Sequence, residues 1–424
     1  MKKIISLLLV CCMALQIVGC SASPQVKDTG AIQVQASDLM ADVEPGIVEP
    51  VELDEDFQNS QMKFAISLFQ EVVGNGDGGN VLVSPTSAQM ALAMTANGSD
   101  KETRTEMEKV LASGMSIEEL NAYLYSYLLQ LKSGGDLKMA NSIWFRDDEA
   151  RLYVEKEFLQ TNADYYGADI YKSAFDEQTL KDINLWVKEH TDGMIDSILN
   201  NIPADAVMYL INALAFEAEW KEEYEKSDIF EGTFTNAKGV EQTVEMMYSN
   251  ETICYEGDNF VGFKKNYKGD KYGFVALLPD ENIDITEFAL GLNGENLQNL
   301  LKNPSDKYAE VTMPKFSYSY ETLLNDALTN MGMPSAFSAS GADFSKLGRS
   351  SNGNISISRV IQKTFIAVDE LGTKAGAVTV VEMTDEACPM YDLTIRLDRP
   401  FVYMIVDNET NLPLFIGVLM TIEN

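Results

Sequence analysis

The chain has 424 residues, 46% apolar and 23% charged, a balance that belongs to folded rather than disordered proteins. Asp and Glu number 65 against 32 Lys and Arg, and the formal net charge of −33 repels phosphate backbones, excluding nucleic acid as a partner while favouring cationic proteins. A single histidine, His190, removes most histidine-based catalysis and metal binding.

Lys2 and Lys3 precede an apolar run at residues 4–18, too short for a membrane span of ~20 residues but suited to a signal-peptide core. Ile17-Val18-Gly19-Cys20 resembles a bacterial lipobox. Residues 1–19 are therefore expected to be removed and Cys20 lipidated, leaving an exported protein anchored to the cell envelope and facing outward. Residues 20–56 are polar and acidic, with Pro24, Pro45 and Pro50, and read as a flexible tether. From residue 57 onward, Phe64, Leu68 and Val72 recur at helical spacing until the Gly/Asn-rich break at 74–79. Further helices are expected at 86–96, 101–111, 117–131 and 180–191. Strand-like runs follow at 207–216, 244–247, 272–278, 308–313, 364–368, 391–397, 401–406 and 414–421. Helices grouped early and strands grouped late give an α+β protein rather than alternating βαβ units. No linker interrupts residues 57–424, which read as one large domain.

Catalytic signatures are scarce. The nucleophile elbow, the zinc-protease helix motif, the phosphate-binding loop and the dinucleotide fingerprint are all missing, and an enzyme is not expected. His190 reads as an exposed or half-exposed helix residue beside Ile183, Trp186 and Val187. Cys254 and Cys388 remain after the signal peptide and the lipid site; two free thiols are the favoured reading, although sequence does not decide whether they pair. Asp280, Asn282 and Asp284 alternate like the start of a calcium loop but lack its glycine and terminal glutamate, so a solvated turn fits better. No metal or cofactor is called for.

The stretch 369–389 is unusual. At period 2, Thr373, Ala375, Ala377, Thr379, Val381 and Met383 share a face, and Lys374 and Glu382 fall on the other, as in a half-buried strand. Its small residues at Ala375, Gly376 and Ala377 are nevertheless poor strand formers, suited to slipping between existing strands. This segment resembles the hinge and reactive-centre loop of the serpins. Other serpin-like motifs come in the family's order: Asn80 with Ser84-Pro85 and Ser87; Ile183-Asn184, Trp186-Val187, Thr191, Gly193 and Ile195; Asn212-Ala213, Phe216 and Trp220. Leu278-Pro279-Asp280, Met313-Pro314-Lys315-Phe316, Asp343-Phe344-Ser345, Arg399-Pro400-Phe401 and Leu414-Phe415-Ile416-Gly417 complete the series.

The resemblance implies eight or nine helices around three β-sheets, with an exposed loop at about 370–398. It also implies irreversible suicide inhibition of serine endopeptidases, with cysteine endopeptidases as further targets, by a monomer whose partners are target proteases and whose membrane contact is its lipid. It assigns the hinge to Glu370, Gly372, Thr373, Lys374, Ala375, Gly376, Ala377 and Thr379, with Leu371 and Lys374 departing from the expected glutamates. Ser84, Ser87, Asn212 and Gln362 become a polar cluster under the sheet opening, with Gln362 where many members carry histidine, and Trp220 lies in the breach at the sheet top. The reactive bond falls at Glu386-Ala387, with cleavage after Asp385 or Met383 as alternatives. Acidic specificity points to glutamyl- or aspartyl-directed proteases, apolar specificity to elastase-like ones. A non-inhibitory binding protein of the same fold is the alternative reading.

Overall fold

The computed structural model describes residues 34–132, 136–147, 152–351, 353–373 and 390–423. The apolar run around Asn212 becomes the strand Met208–Phe216, buried along its whole length as a strand covered on both faces must be. It is β4 of a large sheet. The other members are β1 (Ser37–Asp38), β2 (Leu137–Arg146), β3 (Asp169–Ser173), β5 (Ala218–Glu219), β6 (Phe316–Leu323), β7 (Arg359–Val368) and β8 (Gly372–Thr373). Across the sheet the order is β1-β3-β2-β4-β7-β6, while β8 lies between β7 and β5. β4 and β7 run parallel, from Tyr209 opposite Arg359 to Leu214 opposite Thr364. Both are antiparallel to their outer neighbours β2 and β6.

Period-2 alternation sends neighbouring β4 side chains to different cores. Tyr209, Ile211 and Ala213 meet Ile183, Trp186 and Val187 of the helix Glu177–His190, which starts from a capping box formed by Asp176 and Thr179. Met208, Leu210 and Leu214 join the main core, where the helix Pro85–Ala96 is buried at every residue and packs against β2 and β4. Its N-terminus is fixed by proline at the first turn and by the Ser84 hydroxyl, which accepts from the Ser87 amide.

A second sheet of six strands places Val81–Val83 beside Pro413–Leu419, tying the start of the body to its end. A third has four strands, Leu393–Arg396, Ala309–Pro314, Glu241–Glu251 and Ile229–Thr235. With nine α-helices among the described residues, this is the α+β architecture expected from the sequence.

The segment read as a flexible tether differs from expectation over its described part. Residues 34–54 lie along the body. β1 pairs with β3, and the Gln35 and Ala36 amides donate to the Asp182 carboxylate at 3.0 and 2.8 Å. Beyond β1, the Gly46 amide donates to Asp164, the Val51 amide to Ser126 Oγ, and the Gln160 side chain to the Glu44 carbonyl. Leu39, Met40 and Leu53 pack against the core. Composition missed this docking because it is made largely by backbone groups, which every residue carries. Residues 1–33, with Cys20, lie outside the described residues. Among the described residues no helix is long and apolar enough to cross a membrane.

Candidate functional site

The seam between β4 and β7 carries a buried polar cluster. Asn212 and Gln362 stand opposite one another in the parallel ladder, both fully buried. Gln362 Nε2 donates to Asn212 Oδ1 at 2.6 Å and to the Ser84 carbonyl at 2.9 Å, and its Oε1 accepts from the Ser84 amide at 2.9 Å. The Asn212 amide donates to Ser87 Oγ and to Asn141 Oδ1 on β2. One amide side chain thus locks a helix N-terminus to the two parallel strands of the seam. All four residues assigned to this cluster come together. Asn141 was missed, and an asparagine inside a strand, where that residue is depleted, was the available signal.

The segment that the resemblance assigns as the hinge begins at the end of β7. Asp369 accepts from the amides of Leu371 and Gly372 at 2.8 and 3.1 Å, and its own amide donates to the Gly372 carbonyl, turning the chain back on itself. Thr373 then pairs with Val368, and Gly372 and Thr373 pair with Glu219 and Ala218. Gly372 is required here, since an added Cβ would stand 2.1 Å from the Ala218 carbonyl oxygen. Trp220 closes over this turn: its amide donates to the Leu371 carbonyl and its indole N–H to the Asp369 carbonyl, each at 2.8 Å. Glu370 pairs with Lys315 at 2.7 Å. Burial pushes the Glu370 carboxyl up, but that ammonium outweighs it and leaves the pKa below its usual value.

Beneath Trp220 lie residues the sequence reading did not single out. Tyr267 stacks on the indole at 4.5 Å and points its hydroxyl at Thr373. Lys265 pairs with Glu251 at 3.2 Å, both nearly buried, and holds its ammonium 4.5 Å from the Tyr224 ring centre. Burial raises the Glu251 pKa, with Lys265 opposing.

Lys374, Ala375, Gly376, Ala377, Thr379, Met383, Asp385, Glu386, Ala387 and Cys388 lie outside the described residues. Cys254 is buried and its thiol is pushed up to about 11 by that burial, leaving it unreactive at neutral pH. His190 is half-exposed on its helix, stacked on Trp186 and 3.3 Å from Asp169. Asp284 caps the helix Ile285–Leu290.

A large mixed sheet carries a polar-clasped parallel seam, and a tight turn at its top places the short strand β8 between β7 and β5. The chain belongs to the serpin family: the model described as "Serpin (serine protease inhibitor)" matches residues 59–422. This is a family of protease inhibitors rather than of enzymes. Human leukocyte elastase inhibitor is 30% identical over 386 residues, covering 86% of this chain and 98% of that protein. The thermophilic serpin tengpin is 48% identical; its native-state structure superposes with a TM-score of 0.88 over 92% of this chain and all of tengpin. Its latent-state structure gives 0.78 over 88% and all of tengpin.

Proposed function

We propose that the chain is an irreversible suicide inhibitor of serine endopeptidases, with cysteine endopeptidases as further targets, lipid-anchored through Cys20 on a bacterial cell surface. The protease attacks the loop at Glu386-Ala387, or after Asp385 or Met383, and forms an acyl-enzyme. The freed loop then enters the large sheet between β4 and β7. From Gly372 to Glu386 the added strand is roughly 45–50 Å long at ~3.3 Å per residue, a displacement able to disorder the oxyanion hole needed for deacylation. About ten new ladder bonds at ~0.5–1.5 kcal/mol each supply ~5–15 kcal/mol, enough to make the step nearly irreversible.

The observation that carries this reading is β8. Its two residues already form the first rung of an antiparallel strand between β7 and β5. The net charge of −33 would steer cationic proteases, elastase-like or acidic-residue-specific, toward the inhibitor.

The test mixes the soluble form lacking residues 1–20 with elastase, chymotrypsin, a cationic cathepsin, a glutamyl endopeptidase and subtilisin. An SDS-resistant covalent band is expected, with a released peptide beginning at Ala387. Clean cleavage without a band by every protease would overturn trapping and leave the non-inhibitory reading. Labelling of the full chain by a fatty-acid probe, lost in Cys20→Ser, tests the anchor.

A further inference from the structure

Thr373 is 1% exposed, and its hydroxyl lies 2.6 Å from the Tyr267 hydroxyl, itself fully buried. Burial pushes the Tyr267 phenol well up, so it keeps its proton at any working pH and either hydroxyl can donate to the other. Tyr267 lies outside the β4–β7 seam. It follows the strand Phe260–Asn266 of the six-stranded sheet, forms a backbone bridge with Trp220 just beyond β5, and is held on the β4/β5 side by stacking on Trp220 and by an edge contact with Phe216 at 5.0 Å, the side on which Thr373 also pairs with Ala218. Separating β4 from β7 along Tyr209–Leu214 and Arg359–Thr364 therefore leaves the Tyr267–Thr373 bond in place.

Starting an ordered segment is the unfavourable step of zipping, because several residues are fixed for the first bond and each later residue adds one. A hinge already seated at Thr373 has passed that step before any protease arrives.

We propose that Tyr267 is a positioning residue for trapping: its hydroxyl keeps Thr373 in the sheet as the nucleus from which loop insertion propagates. The proposal rests on the inhibitory reading above. Insertion competes with deacylation, so the number of inhibitor molecules consumed per protease trapped, minus one, equals the ratio of the deacylation rate to the insertion rate. Slower insertion raises that number and leaves the rate of initial attack on the loop unchanged.

The test compares the soluble form with Tyr267→Phe, Thr373→Val and the double variant. Tyr267→Phe removes one oxygen and keeps the ring on Trp220. Loss of one buried hydrogen bond predicts a roughly 2- to 10-fold slower insertion and an equal rise in the excess stoichiometry. The association rate should hold, and the double variant should match the single ones. Hydrogen exchange at the amides of residues 371–373 in the uncleaved protein should speed up by a similar factor. Unchanged stoichiometry and unchanged exchange in Tyr267→Phe would overturn the proposal. If the unsubstituted protein traps no protease, the inhibitory reading fails by itself. The exchange comparison, with the rate at which loop-nicked protein gains heat resistance, then decides on the nucleus.

Discussion

Replacing Gln362 by leucine removes the clasp on the seam while keeping a side chain of similar volume. Three hydrogen bonds are lost. The Ser84 carbonyl retains the Ala88 amide, so the groups left buried without those partners are the Ser84 amide and Asn212 Oδ1. At ~1–3 kcal/mol for each unsatisfied group the cost is ~2–6 kcal/mol. Unfolding entropy of ~2.1 cal/mol/K per residue over a body of about 360 residues gives ~0.8 kcal/mol/K, so the midpoint should fall by about 3–8 °C. The penalty belongs mainly to the closed sheet, because an inserted strand would part Asn212 from Gln362. Thermal scans by circular dichroism at one fixed rate, on intact and loop-cleaved protein, measure both states. A drop in the intact form exceeding that in the cleaved form is expected. Equal drops, or less than about 1 °C in the intact form, would refute the reasoning, since neither is compatible with a clasp specific to the closed seam.

Gly372→Ala places a Cβ 2.1 Å from the Ala218 carbonyl oxygen and should expel β8, seen as faster proteolytic nicking near residue 372 and a larger fraction of escaping protease. Glu251→Gln leaves the Lys265 ammonium buried beside a neutral partner and should cost about 3 kcal/mol in urea unfolding, whereas replacing both residues with apolar ones should cost less. The bond that His190 donates to Asp169 raises the His190 pKa despite burial, so its stabilisation is full below the unfolded value of ~6.5 and is lost as pH rises through the raised folded value. Because His190 is 41% exposed, the effect should stay below ~1 kcal/mol. A stability difference from His190→Gln that is flat between pH 5 and 8.5 would contradict it.

The long apolar strands were legible because burial on both faces writes itself as continuous hydrophobicity, as in Met208–Phe216, Tyr272–Pro279 and Phe401–Asp407. β6 was not, although it alternates, because Ser317, Ser319 and Glu321 make its outer face look like a loop. β7 was read as only its last five residues, since Arg359, Gln362 and Lys363 interrupt the apolar pattern; one of them is the clasp itself. Ser84 and Asn212 stand in serpin-like motifs and Gln362 where many serpins carry histidine, and their mutual contact depends on a parallel pairing between residues far apart in sequence. Tyr267 carried no local mark: it sits in a polar turn, and its place beneath the hinge follows only from how two sheets meet.

The docked segment before residue 55 bears on the company this molecule keeps. A large sheet is also a template for a neighbour's strand, and open edges are where such mistaken pairing begins. Here the outer edge at β3 is occupied by Ser37 and Asp38, and the next amides toward the N-terminus are spent on Asp182. A two-residue ribbon ending in a carboxylate offers a poor continuation for another chain. The chain's own N-terminal segment thereby closes that flank to a neighbour's strand, and edge-to-edge self-association there has little to gain.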